Sequence, residues 1–305
     1  MNKEGFSFTT NDGRELHGDK YLSPVSPSGR LGIIHGMAEH RRRYEDFARE
    51  LVSAGYSVYA YDQTGHGETA RKSDNPLGHV PVSIGWQGLT DDAATFLEAI
   101  NSEKGDEPVY VFGHSMGSFV TRSLITGNGE KVDGVILSGT SRINKALLKL
   151  LQPLAKLERW VRGELSSSYL MEKLLFSSHN AEFEPADTPF DWLSRDEEEV
   201  RKYVRDELSG FSCTTGFYEV FVSGMKNLAE TDEPSKVRND LPVLFVSGEK
   251  DPVGGKEVVN LAEEYAEAGL KKVESKIYPE ARHELLNEIN RDEVVQDVIK
   301  WLERQ

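Results

Sequence analysis

Apolar positions along the chain follow two alternating rhythms. Short unbroken runs rich in β-branched and aromatic residues, RLGIIH (30–35), YSVYAYD (56–62), PVYVFG (108–113) and VDGVILSG (132–139), predict buried strands. Helical spacing lies between them. In YEDFARELVSAG, Phe47, Leu51 and Val52 share one face and Gly55 ends the helix, and SFVTRSLITG (118–127) predicts a helix directly after the third run. Ahead of these, GFSFTT and RELHGDKYL flank Asn11-Asp12-Gly13, a hairpin turn. Strands that alternate with helices and are apolar enough to be covered on both faces predict an α/β domain with a mostly parallel sheet.

From about Ile143 the strands stop. KALLKLLQPLAKLERWV, SSYLMEKLLF and SRDEEEVRKYVRDEL are helical patterns with no strand between them. Pro153 is expected to kink or break the first. Ser194 with Glu197 three residues on predicts a capping box for the last. Alternation resumes with LPVLFVSGEKD (strand), GKEVVNLAEEYAEAG (helix), KVESKIYP (strand) and DEVVQDVIKWLERQ (helix). The expected organisation is one sheet domain, 1–141 and 236–305, interrupted after its sixth strand by a helical insertion, 142–235.

Bulk composition narrows the function classes. The 305 residues carry 51 acidic against 36 basic side chains, a net charge of −15 that repels phosphate backbones, so nucleic acid is not an expected partner. One cysteine, Cys213, excludes an intrachain disulfide. The first residues lack the apolar core of a signal peptide, and no apolar stretch reaches the roughly 18 residues of a membrane span. The expectation is a soluble, cytoplasmic protein. With no HExxH, no paired cysteines and no phosphate-binding glycine loop, neither metal nor cofactor is implied.

The chemistry concentrates at Gly113-His114-Ser115-Met116-Gly117. A strand that turns at once into a helix forces its corner residue into a strained conformation, with its side chain above the sheet. Residues two before and two after approach that corner closely, which is why G-x-S-x-G needs its glycines. A serine hydroxyl requires a base oriented by a third group, and in this architecture the acid and then the histidine come later in the chain. Asp251 follows the strand LPVLFVSG, with Glu249 as its rival. His283 follows KVESKIYP and is the one histidine of eight downstream of Asp251. His114 should point away from the hydroxyl. The oxyanion donors expected are the amides of Met116, after the nucleophile, and Met37, in the loop after the early strand.

HGMAEH, YDQTGHGET, GHSMGS, SGEKDPVGG and ARHELLNE, in that order, resemble the monoacylglycerol lipase and lysophospholipase-like branch of the α/β-hydrolase superfamily, catalogued with serine aminopeptidase-like hydrolases. The resemblance runs over nearly the whole chain and includes TPFDWLSRD and GFSCTTGFYE, which look like the cap of bacterial relatives. It implies the α/β-hydrolase fold, Ser115, Asp251 and His283 as catalytic triad, and Met37 and Met116 as oxyanion donors. One departure is Ser118, where the elbow commonly carries a second glycine. The resemblance also implies that the insertion is a lid over an acyl pocket. The wide apolar stripe of Leu147, Leu150, Leu151, Leu154, Leu157, Trp160 and Val161 could line that pocket, touch a lipid surface or pack on the sheet domain.

The expected function is therefore a serine ester hydrolase acting on monoacylglycerols or other single-chain acyl esters. Two alternatives stand beside it. One is an aminopeptidase acting on small peptides, with Glu182, Glu184 and Asp187 available to hold a free amine. The other is a non-catalytic ligand-binding protein on the same fold. Arg41-Arg42-Arg43 reads as a solvated charge run opening a helix, with an anionic head group as its functional alternative, and His66 reads as structural.

Overall fold

The computed structural model describes residues 2–103, 105–231 and 234–305. Eight strands form one sheet: β1 (Asn2–Thr9), β2 (Glu15–Leu22), β3 (Gly29–Ile34), β4 (Tyr56–Tyr61), β5 (Val109–His114), β6 (Gly134–Ser138), β7 (Val243–Gly248) and β8 (Val273–Tyr278). Their spatial order is β1-β2-β4-β3-β5-β6-β7-β8. The hairpin β1–β2 joins antiparallel and β2 meets β4 antiparallel, while every pair from β4 to β8 is parallel. Strands β3 to β7 are buried throughout, as their unbroken apolar runs require. The edge strand β8 departs from that expectation: it keeps Glu274 and Ser275 exposed because one side has no neighbouring strand.

The helices are α1 (Glu45–Ser53), α2 (Gly67–Arg71), α3 (Gly85–Glu103), α4 (Met116–Asn128), α5 (Lys145–Arg162), α6 (Tyr169–Phe176), α7 (Glu197–Arg205), α8 (Thr215–Thr231), α9 (Glu257–Glu267) and α10 (Arg291–Leu302). Successive strand residues feed opposite faces. Val111 joins Phe96, Val120 and Leu124 under α3 and α4, and Phe112 joins Phe47, Leu51 and Val298 under α1 and α10. Helices α2, α3 and α8 have no counterpart among the elements expected from the apolar spacing. Between β6 and β7 the chain leaves the sheet and forms a helical cap of α5 to α8, anchored where Phe217, Val222 and Met225 of α8 enter the core.

Two local expectations are corrected here. Helix α5 continues through Pro153 rather than breaking, with Leu148, Leu151 and Ala155 buried along the side that packs on α8. The N-cap of α7 is Asp196, whose carboxylate accepts from the Glu198 and Glu199 amides. Ser194 is not the cap: its hydroxyl accepts from the Asp196 amide at 2.9 Å, ahead of the helix, and donates to the Asn287 carbonyl at 2.7 Å, which ties the cap to the sheet domain.

Candidate active site

Ser115 sits at the corner between β5 and α4 with φ 50° and ψ −118°, a backbone conformation that a residue with a side chain seldom adopts. Its amide donates to the Ser138 carbonyl of the neighbouring strand at 2.8 Å, which fixes the corner. Both flanking glycines are required by close approach. A Cβ at Gly117 would collide with the Ile34 carbonyl oxygen, and one at Gly113 would collide with the Thr121 hydroxyl and lie 2.7 Å from the Gly117 carbonyl. Ser118, the departure from the familiar pattern, is fully buried and its hydroxyl donates to the Ser115 carbonyl at 2.6 Å. The extra side chain therefore braces the elbow.

Asp251 and His283 emerge from the ends of β7 and β8 and meet. The His283 Nδ1 lies 2.9 Å from Asp251 Oδ1, and both side chains are buried. Asp251 Oδ1 also accepts from the Val253 amide at 2.8 Å, so the carboxylate is held from two directions. Burial pushes the Asp251 carboxyl up, but His283 and these hydrogen bonds outweigh it and hold it below its ordinary value. Burial alone would likewise depress the His283 imidazole; the Asp251 charge and hydrogen bond reverse this and raise it above the usual histidine value. Glu249, the rival acid, pairs instead with Lys256 at 2.8 Å and with the Glu280 amide.

Ser115, Met116, Met37 and His283 line one cavity of about 740 Å³ between the sheet domain and the cap. Its walls include Phe119, Leu148, Phe176 and Phe211, so most of its surface is apolar. Gly36 brings the Met37 loop against Ser115: a Cβ on Gly36 would lie 3.2 Å from the Ser115 Cβ. Among the described residues, neither the Met37 nor the Met116 N–H is met by an acceptor, whereas the Gly36 amide donates to Glu39 at 2.5 Å and its carbonyl accepts from His35.

Other residues shape the site without a catalytic role legible in the sequence. The Trp192 ring, from the cap, lies 5.0 Å from the His283 ring, and the Glu284 amide donates to the Leu193 carbonyl at 2.7 Å. The His179 ring packs edge-on against Trp192 at 4.7 Å. His114 lies closer to the site than strand alternation suggests, with its ring 4.8 Å from that of His283; burial and the His283 charge push it down to about 4, so it stays neutral. His66 is buried between His35 and the Phe211 and Phe217 rings and is pushed down to about 3 by burial.

The arginine run is corrected. Arg41 is buried and binds Asp19, Asp62 and Glu68. Arg43 is nearly buried and binds Glu39 at 2.9 Å and Glu284 at 2.6 and 2.7 Å. Arg42 alone of the three is largely exposed. Carboxylates from distant parts of the chain converge on the two buried guanidiniums, which a local charge count cannot register.

An eight-stranded, mostly parallel sheet with a serine at a strand–helix corner and a helical cap after the sixth strand defines an α/β hydrolase. Within that class the chain belongs to the family described as serine aminopeptidase, S33, whose model matches residues 25–290. It is 26% identical over 304 residues to a monoacylglycerol lipase of Mycolicibacterium smegmatis, covering 97% of this chain and 95% of that protein. Human monoglyceride lipase is 25% identical over 292 residues, covering 94% and 86% respectively. Among solved structures, a thermostable carboxyl esterase from Bacillus coagulans in complex with glycerol superposes with a TM-score of 0.88 at 28% identity, covering 99% of this chain and 98% of that one. These likenesses fall in the monoacylglycerol lipase-like branch of the class.

Proposed function

We propose that the protein is a serine ester hydrolase that cleaves monoacylglycerols or other single-chain acyl esters through an acyl-enzyme. The observation that carries this reading is the buried Asp251–His283 pair, whose imidazole lines the apolar cavity that also holds the strained Ser115. His283, with its Nδ1–H committed to Asp251, presents Nε2 as the base that takes the Ser115 proton. The hydroxyl oxygen attacks the ester carbonyl, and the resulting oxyanion is met by the unpaired amides of Met37 and Met116. The protonated His283 then gives its proton to the departing alcohol. Water activated by the same imidazole releases the fatty acid.

The choice of substrate rests on the lipase and esterase likenesses, and a cavity of about 740 Å³ with mainly apolar walls suits one acyl chain. The cap of this proposal spans 142–235 and the sheet domain 1–141 and 236–305, divisions supported by the absence of any strand between Ser138 and Val243 among the described residues. The cytoplasm is the proposed compartment, compatible with a single buried cysteine. Among the described residues no helix is long and apolar enough to cross a membrane. Contact with aggregated lipid is assigned to the exposed apolar surface of α5.

The experiment is a hydrolysis panel of monoacylglycerols, lysophospholipids and short-chain p-nitrophenyl esters, run on wild type and Ser115→Ala alongside fluorophosphonate labelling. Labelling and turnover present in wild type and absent in Ser115→Ala are expected; an unlabelled wild type would leave a ligand-binding protein instead. For the peptidase alternative, Glu184 lines the cavity while Glu182 and Asp187 do not. Turnover of aminoacyl p-nitroanilides exceeding that of p-nitrophenyl esters would overturn the esterase reading.

A further inference from the structure

The loop that carries the Met37 amide contains a second strained residue. Ala38 has φ 52°, in the left-handed region that a residue with a Cβ enters only at a cost. Its carbonyl oxygen accepts two hydrogen bonds, both from the cap: the Tyr203 hydroxyl of α7 at 3.0 Å and the Gly210 amide at 2.9 Å. Nothing in the elbow motif requires a cap residue to reach this loop.

The two donors are themselves fixed. The Tyr203 ring lies between Phe190, at 5.0 Å, and the Arg43 guanidinium, at 4.7 Å from its centroid. The turn carrying Gly210 is tied down through Asp206, which accepts from the Leu208 amide and sits 2.6 Å from His40 Nε2. The His40 Nδ1 accepts from the Arg42 amide, so its Nε2 carries the proton and donates to Asp206. Burial holds the Tyr203 phenol above its ordinary value, and it remains a donor at neutral pH.

We propose that Tyr203 is a positioning residue for the oxyanion hole: with the Gly210 amide, it clamps the Ala38 carbonyl, holds that residue at positive φ and thereby aims the preceding Met37 amide at the developing oxyanion. The α7 half of the cap is accordingly a fixed part of the catalytic machinery, and not only a cover for the acyl chain. The inference rests on the proposed esterase reading and deepens it. Loss of the clamp leaves Ser115, His283, the cavity and the His35 hydrogen bond to the Gly36 carbonyl in place, but the Met37 amide is then held from one side only and loses its aim, so the damage falls on the transition state rather than on substrate binding.

The test measures kcat and KM for p-nitrophenyl butyrate, thermal midpoint and fluorophosphonate labelling rate in Tyr203→Phe, well below its unfolding temperature. The expected result is a kcat lowered at least ten-fold, KM within two-fold of wild type, slower labelling, and an unchanged inflection in the pH profile. Adding Ala38→Gly, which lowers the backbone cost of positive φ, should recover at least half of the lost rate on a logarithmic scale. Ala38→Val raises that cost without touching Tyr203, and tests the clamp independently if Tyr203→Phe does not fold; it should lower kcat with KM kept. A kcat within two-fold of wild type in either folded single variant, or a loss confined to KM, would overturn the clamp. Failure of the esterase reading itself would look different, since wild type would then neither turn over esters nor react with the probe.

Discussion

At Ser115 the chain accepts backbone strain in exchange for a hydroxyl placed above the sheet, and the neighbouring residues show how that is sustained. Gly117→Ala would drive a methyl into the Ile34 carbonyl, and the collision is with backbone, which cannot rotate away. The expected cost is about 3 kcal/mol, the upper range for overpacking, read as a lowered urea midpoint with activity lost in parallel. His283 supplies a pH prediction. It must be neutral to accept the serine proton, and its pKa is raised by Asp251 despite burial. Esterase kcat/KM should therefore rise with pH through an inflection above the ordinary histidine value of about 6.5. Asp251→Asn removes the raising charge and leaves burial, so the residual activity should fall roughly 10⁴-fold and its inflection should move to lower pH. An inflection unmoved by Asp251→Asn would show that another group sets it. The proposed triad of Ser115, Asp251 and His283 can be named from the sequence because the elbow imposes glycines at fixed spacing and each partner follows a recognisable strand; the structure brings Asp251 and His283 into contact. Trp192, Glu284 and Tyr203 were not, because what they do depends on a cap whose docking no local pattern encodes.

Elements that share the apolar core are also tied to one another by buried charge, and here the sequence reading was least informative. The arginine run preceding α1 looks uniform, yet its three members differ. Arg43 joins Glu39, beside the Met37 loop, to Glu284, beside His283. The Glu39 carboxyl is held down at about 2: burial raises it, and the Arg43 guanidinium and the hydrogen bond from the Gly36 amide more than offset that. Arg43→Ala would strand two buried carboxylates, a loss of about 3–5 kcal/mol, whereas Arg42→Ala, in an exposed pair, should cost under about 1 kcal/mol. Chemical denaturation of the two variants checks the contrast, and equal midpoints would mean the buried network contributes no more than a surface pair. The misplaced cap of α7 has a similar origin. Ser194 and Asp196 are both good N-cap residues two positions apart, and the helix starts at Asp196 while the Ser194 hydroxyl accepts from the Asp196 amide and donates to Asn287, 93 positions along the chain.

For the whole molecule, the remaining question is how a chain of net charge −15 meets an insoluble ester. The outer face of α5 leaves Leu150, Trp160 and Val161 exposed at 74%, 79% and 66%, while Leu148, Leu151 and Ala155 cover the inner side. The stripe read from the sequence is thus divided between core packing and solvent. Lys145, Lys149 and Lys156 are exposed on the same helix. At physiological salt the Debye length is about 8 Å, so a membrane apposed to α5 senses these lysines more than the distant acidic surface. Immersing the three apolar side chains would contribute several kcal/mol even if only partly achieved. Replacing all three by serine should therefore weaken vesicle binding, and slow hydrolysis of monoacylglycerol presented in vesicles, by at least ten-fold. Turnover of water-soluble p-nitrophenyl acetate should stay within two-fold of wild type, because that substrate reaches Ser115 without any surface. Equal losses on both substrates would locate the damage in the folded cap. No loss on either would mean that this face is not the route by which lipid enters, and the exposed leucines would then need another occupant.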